Sequence, residues 1–161
     1  MCENKLLGFS SPGTTQQLSI LSGLNDLNSH VVDDDVVFIH DAARPLVSVK
    51  LLKDCLDAVK VHEGVTPVLP LKDTVYIGSN GRVTALLDRD QLYARQAPEA
   101  FPFGKYYCAN SSLLPDKIKN VHGSTEPAFL AGMDVAIIPG DERNFKITTK
   151  ADLEKFRDIV E

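Results

Sequence analysis

Residues 36–40 read VVFIH, a continuous β-branched and aromatic run without polar alternation. Such a run suits a strand buried on both faces of a parallel sheet. After a turn at Ala43–Pro45, a helix carries Leu52, Cys55, Leu56 and Val59 and ends at Gly64, and residues 65–69 (VTPVL) form the next strand. Strand, helix and strand in this order predict a right-handed crossover unit of an α/β fold. Upstream, Ile20, Leu21, Leu24 and Leu27 recur at helical spacing and predict a helix over 14–28. Downstream, helices are expected over 103–114 and from Thr125–Pro127, with Pro127 in the first turn. VAIIPG at 135–140 reads as another buried strand. A last helix starts near Lys150, capped by Thr149, with Leu153, Phe156 and Val160 on one face.

One segment breaks the alternation. Residues 73–88 read DTVYIGSNGRVTALLD, and Asn80–Gly81 between two β-type runs is a strong hairpin signal, because both turn positions tolerate positive φ. The hairpin is expected to project from the sheet as an arm. Pairing its feet would bring Thr74 and Arg89 together.

With 161 residues, 43% hydrophobic and 24% charged, the chain is read as one domain or most of one. Its 22 acidic and 17 basic residues leave a net charge of −5, which argues against a broad nucleic-acid or acidic-membrane surface but allows a local basic pocket. No apolar run approaches the length of a membrane span, and the start, MCENK, shows no signal-peptide h-region. Cys2, Cys55 and Cys108 form no Cys-x-x-Cys, so a reduced, cytoplasmic protein is the default.

Four segments carry candidate chemistry. His40-Asp41-Ala42-Ala43-Arg44-Pro45 follows a strand, where ligands of open α/β sheets bind. Asp41 could hold a ribose hydroxyl or a phosphate-bearing metal ion, and the planar fork of Arg44 suits phosphate. Its plain alternative is an Asp–Arg pair that tightens a loop. Asp88-Arg89-Asp90 closes the hairpin, and a solvated charge cluster is its simpler explanation. Gly123-Ser124-Thr125-Glu126-Pro127 opens a helix, where the hydroxyls could cap or the free N–H groups could meet an anion. In Asn144-Phe145-Lys146-Ile147-Thr148-Thr149 a lysine sits in a β-like run, either on an exposed edge or as a point charge for phosphate. The four histidines have no metal-ligand spacing, and neither G-x-G-x-x-G nor a Walker A motif is present.

HDAARP at 40–45, DTV at 73–75, LLDRDQLYARQAPEAF at 86–101, GSTEPA at 123–128 and NFKITTKADL at 144–153 together resemble the 2-C-methyl-D-erythritol 4-phosphate cytidylyltransferases. GTTQQLSILSGL at 13–24 is similar to the family segment that opens with glycine and contains a nucleotide-contacting serine. The resemblance implies a Rossmann-like nucleotidyltransferase sheet with helices on both faces and a projecting arm. It implies transfer of CMP from CTP to a polyol phosphate with Mg²⁺, releasing pyrophosphate, in non-mevalonate isoprenoid precursor biosynthesis. Sister enzymes use ribitol 5-phosphate. By resemblance, Gly13, Ser19, Asp41 and Ala42 approach the nucleotide, and Asp41 also serves the metal. Asp41, Arg44 and Lys146 are the catalytic set. Thr74, Arg89, Thr125 and Lys146 meet the polyol phosphate. The arm at 73–89 crosses to a second subunit in this family, so a homodimer follows and Thr74 and Arg89 serve the partner's site.

The sequence departs from the family in three places. The N-terminal strand and glycine-rich loop that cradle the CTP triphosphate lie outside these residues, so the chain is expected to be N-terminally truncated and to need upstream residues for turnover. Gln16 stands where arginine is frequent, and the usual QTPQ reads Gln96-Ala97-Pro98-Glu99. The acidic pair after Thr125 is Glu126-Pro127. A rival reading is a non-catalytic binding or dimerisation module that keeps the arm and the sheet.

Overall fold

The computed structural model describes residues 5–161; Cys2 lies outside them. Seven strands and five α-helices follow in the order α1 (Gln16–Leu27), β1 (Val36–Ile39), α2 (Val49–Ala58), β2 (Gly64–Pro70), β3 (Tyr76–Ser79), β4 (Arg82–Leu86), β5 (Tyr93–Arg95), β6 (Glu99–Pro102), α3 (Phe103–Ser111), α4 (Glu126–Leu130), β7 (Val135–Pro139) and α5 (Lys150–Val160).

β2 is the centre of the main sheet. β7 runs parallel to it along one side, with Gly64 opposite Val135 and Val68 opposite Pro139. β5 and β6 share the other side, both antiparallel, with Val68 opposite Arg95 and Val65 opposite Ala100. They are two halves of one strand path, parted at Gln96–Pro98. β1 lies outermost and pairs with β6, Val37 opposite Phe101.

This arrangement corrects the first strand reading. β1 was expected to be a buried parallel strand, but its ladder is antiparallel and Val36 is exposed. The reason is β6, which returns from the hairpin and inserts between β1 and β2. α2 therefore crosses over an intervening strand. It also ends at Ala58, short of Gly64, which instead opens β2.

Alternation along the strands sends side chains to two cores. Val37, Ile39 and Phe101 pack with Leu24, Phe103, Tyr106 and Ala128 from α1, α3 and α4. Phe38, Val65, Ala100 and Ile138 pack on Cys55 and Val59 on the opposite face, under α2. Helices thus cover both faces, as expected. Burial pushes the Cys55 thiol up to about 11, with the neighbouring Asp54 adding to it.

The Asn80–Gly81 turn takes φ of 51° and 74°, and β3 and β4 form a separate two-stranded sheet with every residue exposed. Two other readings shift. β7 is an edge strand with Ile137 exposed, and α5 buries no residue fully. No helix among the described residues is long and apolar enough to cross a membrane.

Candidate active site

Two loops meet beyond the C-terminal end of β1. The HDAARP loop turns tightly, with the Arg44 amide donating to the Asp41 carbonyl at 2.9 Å and His40 Nε2 against the Arg44 carbonyl at 3.0 Å. The 144–149 segment is a loop and not the β-like run expected, and it is tied to HDAARP by the Ile147 amide donating to the Ala43 carbonyl at 2.9 Å. The tie carries Lys146 to Asp41, Nζ to Oδ2 3.3 Å. Arg44 Nε closes on the same oxygen at 3.2 Å. Burial alone would raise the Asp41 pKa. The Arg44 hydrogen bond, the Lys146 charge and hydrogen bond, and the Arg95 charge outweigh it and hold the carboxyl below its usual range.

Arg44 and Lys146 differ in what they offer. Arg44 is buried, and each of its donor nitrogens has a protein acceptor: Nε the Asp41 carboxylate, Nη1 the Asn144 carbonyl at 2.7 Å, and Nη2 the Arg95 carbonyl at 3.4 Å. It is a tie between three segments, in keeping with the plain alternative of an Asp–Arg pair that tightens the loop. The Lys146 side chain keeps 42% of its surface exposed and is the accessible cation.

A second polar group, missed in the sequence, lies beside the first. Glu99, fully buried at the start of β6, accepts from the Ser124 and Thr125 hydroxyls and from Thr66 at 3.4 Å. Arg95 Nη1 stands 3.0 Å from Glu99 Oε1 and donates to Ser124 Oγ at 2.9 Å. Below them the Tyr106 hydroxyl donates to the Ser124 carbonyl at 2.7 Å. Thr125 therefore does not cap α4, which has only five residues; its hydroxyl is spent on Glu99. Gln96, named in the sequence only as part of the QTPQ segment, has a role that was not read there. Its Nε2 donates to the Asp141 carbonyl at 2.9 Å and its Oε1 accepts from the Asp141 amide at 3.0 Å, while Asn144 Nδ2 donates to the Ala97 carbonyl at 2.6 Å. The four-residue spacing of Arg95 and Glu99 across a strand break was the available signal.

Gly13 and Ser19 belong together. The Gly13 amide donates to Ser19 Oγ at 3.0 Å, and a Cβ on Gly13 would meet the Leu18 backbone at 2.6 Å, so the loop folds onto the first turn of α1 only with glycine. From that turn Gln17 donates to Asn110, which bonds back to the Tyr106 carbonyl at 2.8 Å, linking α1 to the Glu99 group. Ala42 is exposed beside Asp41. Thr74 and Arg89 stand apart. Arg89 Nη1 donates to the Lys72 carbonyl at 2.9 Å, so the feet do close, but on Lys72. The strand register, Tyr76 opposite Leu86, sets Thr74 against Asp88 when continued.

The sequence description that matches residues 7–161 is 2-C-methyl-D-erythritol 4-phosphate cytidylyltransferase. The chain belongs to this family. A family enzyme from Roseobacter denitrificans is 35% identical over 151 residues, covering 94% of this chain and 65% of its own length. A ribitol-5-phosphate cytidylyltransferase from Lactiplantibacillus plantarum is 32% identical over 151 residues, covering 92% and 65%. The crystal structure of the Francisella tularensis family enzyme superposes with a TM-score of 0.83 at 27% identity, over 90% of this chain and 68% of that one. The chain thus spans about 65% of the length of the two curated relatives.

Among the described residues no cluster of three His, Cys, Asp or Glu could hold a metal ion unaided. Mg²⁺ commonly takes one or two carboxylates and completes its shell with substrate phosphates and water. Asp41, a lone carboxylate kept ionised, fits that role and no larger one.

Proposed function

We propose that this protein transfers CMP from CTP to 2-C-methyl-D-erythritol 4-phosphate and releases pyrophosphate. The observation that carries this reading is the meeting of Lys146 and Asp41, from motifs 105 residues apart, in a chain of this family. A phosphate oxygen of the polyol phosphate attacks the α-phosphorus of CTP, a new P–O bond forms, and the bond to the β-phosphate breaks with pyrophosphate leaving. Such a step needs positioning and charge neutralisation more than covalent chemistry. Lys146 holds the attacking phosphate. Arg44 fixes Asp41 and the Lys146 loop, and Ala42 with the Gly13–Ser19 loop approaches the nucleotide. Mg²⁺ held by Asp41 would offset the charge of the triphosphate.

Thr74 and Arg89 serve the polyol phosphate of a partner subunit, because neither bonds to the Asp41 group of its own chain while both strands of the arm are exposed throughout. A two-stranded hairpin is marginal alone in water, which favours a homodimer built on the arm. A second reading, ribitol 5-phosphate as acceptor, is supported by the Lactiplantibacillus relative. Pyrophosphate release with CTP, Mg²⁺ and each acceptor, measured on this chain and on one extended at its N-terminus, tests both: release with the methylerythritol phosphate alone supports the first, release with ribitol 5-phosphate alone the second, and release with neither by the extended protein overturns the transferase reading.

A further inference from the structure

We propose that Arg95 is a second substrate-phosphate cation beside Lys146, and that the buried carboxylate of Glu99 is its positioning residue. The proposal rests on the reading of this site as one for a polyol phosphate.

The need comes from charge. A phosphomonoester carries close to two negative charges near neutral pH. Arg44 is buried and bonds a protein acceptor through each of its nitrogens, which leaves Lys146 as the more accessible cation within the Asp41 group. Arg95 is adjacent, since its carbonyl takes the Arg44 Nη2 bond and its charge is felt at Asp41.

Its geometry suits the task. A guanidinium has five N–H donors. The Glu99 and Ser124 contacts of Arg95 both fall on Nη1, and the side chain keeps 32% of its surface exposed. Glu99, by contrast, is fully buried. A buried carboxylate is a poor means of adding stability, because its desolvation offsets the attraction. Here it accepts from Ser124, Thr125 and Thr66 and holds one end of the guanidinium. Thr125, assigned to the polyol phosphate by resemblance, shares that carboxylate with Arg95, so one buried group orients both. Arg44, Lys146 and Arg95 against Asp41 and Glu99 leave one positive charge in excess, the sign a phosphate requires.

The test is titration of the 161-residue protein with inorganic phosphate and with ribitol 5-phosphate, followed by the Arg95 Nε–Hε resonance and by calorimetry. Both ligands should shift that resonance. Arg95→Gln leaves Glu99 buried without its cation and can fail to fold. The double variant Arg95→Gln/Glu99→Gln removes both charges, and its amide keeps an acceptor oxygen for Thr125 and Thr66 and an NH₂ that the Ser124 hydroxyl can turn to accept from. It should melt as one cooperative unit and bind phosphate roughly ten- to a hundred-fold more weakly. Arg95→Lys should retain part of the affinity. An unmoved Arg95 resonance, or a folded double variant that binds phosphate as tightly as the parent, overturns the proposal. CMP transfer is measured separately. Phosphate binding through Arg95 with no transfer even by the N-terminally extended protein would sink the transferase reading alone. Equal transfer by parent and double variant would sink the role of Arg95 alone.

Discussion

Lys146 and Arg44 converge on one oxygen of Asp41, Nζ at 3.3 Å and Nε at 3.2 Å. The carboxylate is the joint between the HDAARP loop and the 144–149 loop. Its lowered folded pKa makes stability depend on pH in one direction. The contribution is present above the unfolded carboxylate value of about 3.9 and is lost as pH falls through the lower folded value. Asp41→Asn should therefore destabilise the protein by about 1.5–3 kcal/mol near neutral pH, the range for a charged hydrogen bond. The gap should narrow in acid. Urea midpoints of both proteins at several pH values check this, and a gap that is constant with pH would count against an ionised Asp41.

In the N-terminally extended protein, Lys146→Ala should raise KM for the polyol phosphate and lower kcat/KM about ten- to a hundred-fold, with KM for CTP nearly unchanged. The side chain is accessible, and its loss leaves Arg44 to hold Asp41. Steady-state kinetics with each substrate varied in turn decide it. An equal rise in both KM values would place Lys146 nearer the nucleotide.

Gln96 grips the 141–144 turn from both sides of its amide, and its Nε2 also reaches the Asn144 carbonyl at 3.3 Å. Gln96→Ala would strip the Asp141 amide and carbonyl of their partner. The expected loss is about 1–3 kcal/mol, the net worth of two hydrogen bonds between part-buried groups. Thermal melts read the stability loss. A melt unchanged from the parent would mean that water replaces the side chain at no cost.

Much of this was legible because local rules and tertiary structure agree. The helices start where Thr15, Ser48 and Thr149 cap them, and Thr149 with Asp152 forms a full capping box. Asn80–Gly81 fixed the hairpin. What stayed hidden depends on partners distant in sequence. β5 and β6 are short, three and four residues, and no periodicity marks them. Their insertion beside β2 is what turned the β1 ladder antiparallel. Arg44 read as a phosphate fork because its carbonyl acceptors, at Arg95 and Asn144, are backbone atoms with no residue signature. Glu99 sat in the quoted motif, yet nothing local shows that it is buried under Ser124 and Thr125.

The two described cysteines should separate chemically. Cys108 is exposed, whereas Cys55 is buried with its thiol pushed up to about 11. The thiolate is the reactive form, so iodoacetamide at pH 8 should label Cys108 in the folded protein and spare Cys55 until urea is added. Peptide mass spectrometry reads both sites, and early labelling of Cys55 would mean that α2 opens readily from β2.

The arm offers the sharpest test of assembly. Arg89 is fastened to the Lys72 carbonyl at the base of the hairpin and makes no bond to Asp41, Lys146 or Thr125 of its own chain. If it serves a partner's site, Lys146→Ala and Arg89→Ala inactivate a homodimer through different subunits. In a mixed dimer both lesions fall in one site and the other site is intact. Equal mixing makes half of the dimers mixed, each with one working site of two, so about a quarter of the parent activity should return. The measurement is CMP transfer by the N-terminally extended protein before and after subunit exchange, with exchange proved by two affinity tags. Full exchange without recovery would assign Arg89 to its own chain. A monomer by light scattering at micromolar concentration, with the hairpin intact, would remove the dimer from the account.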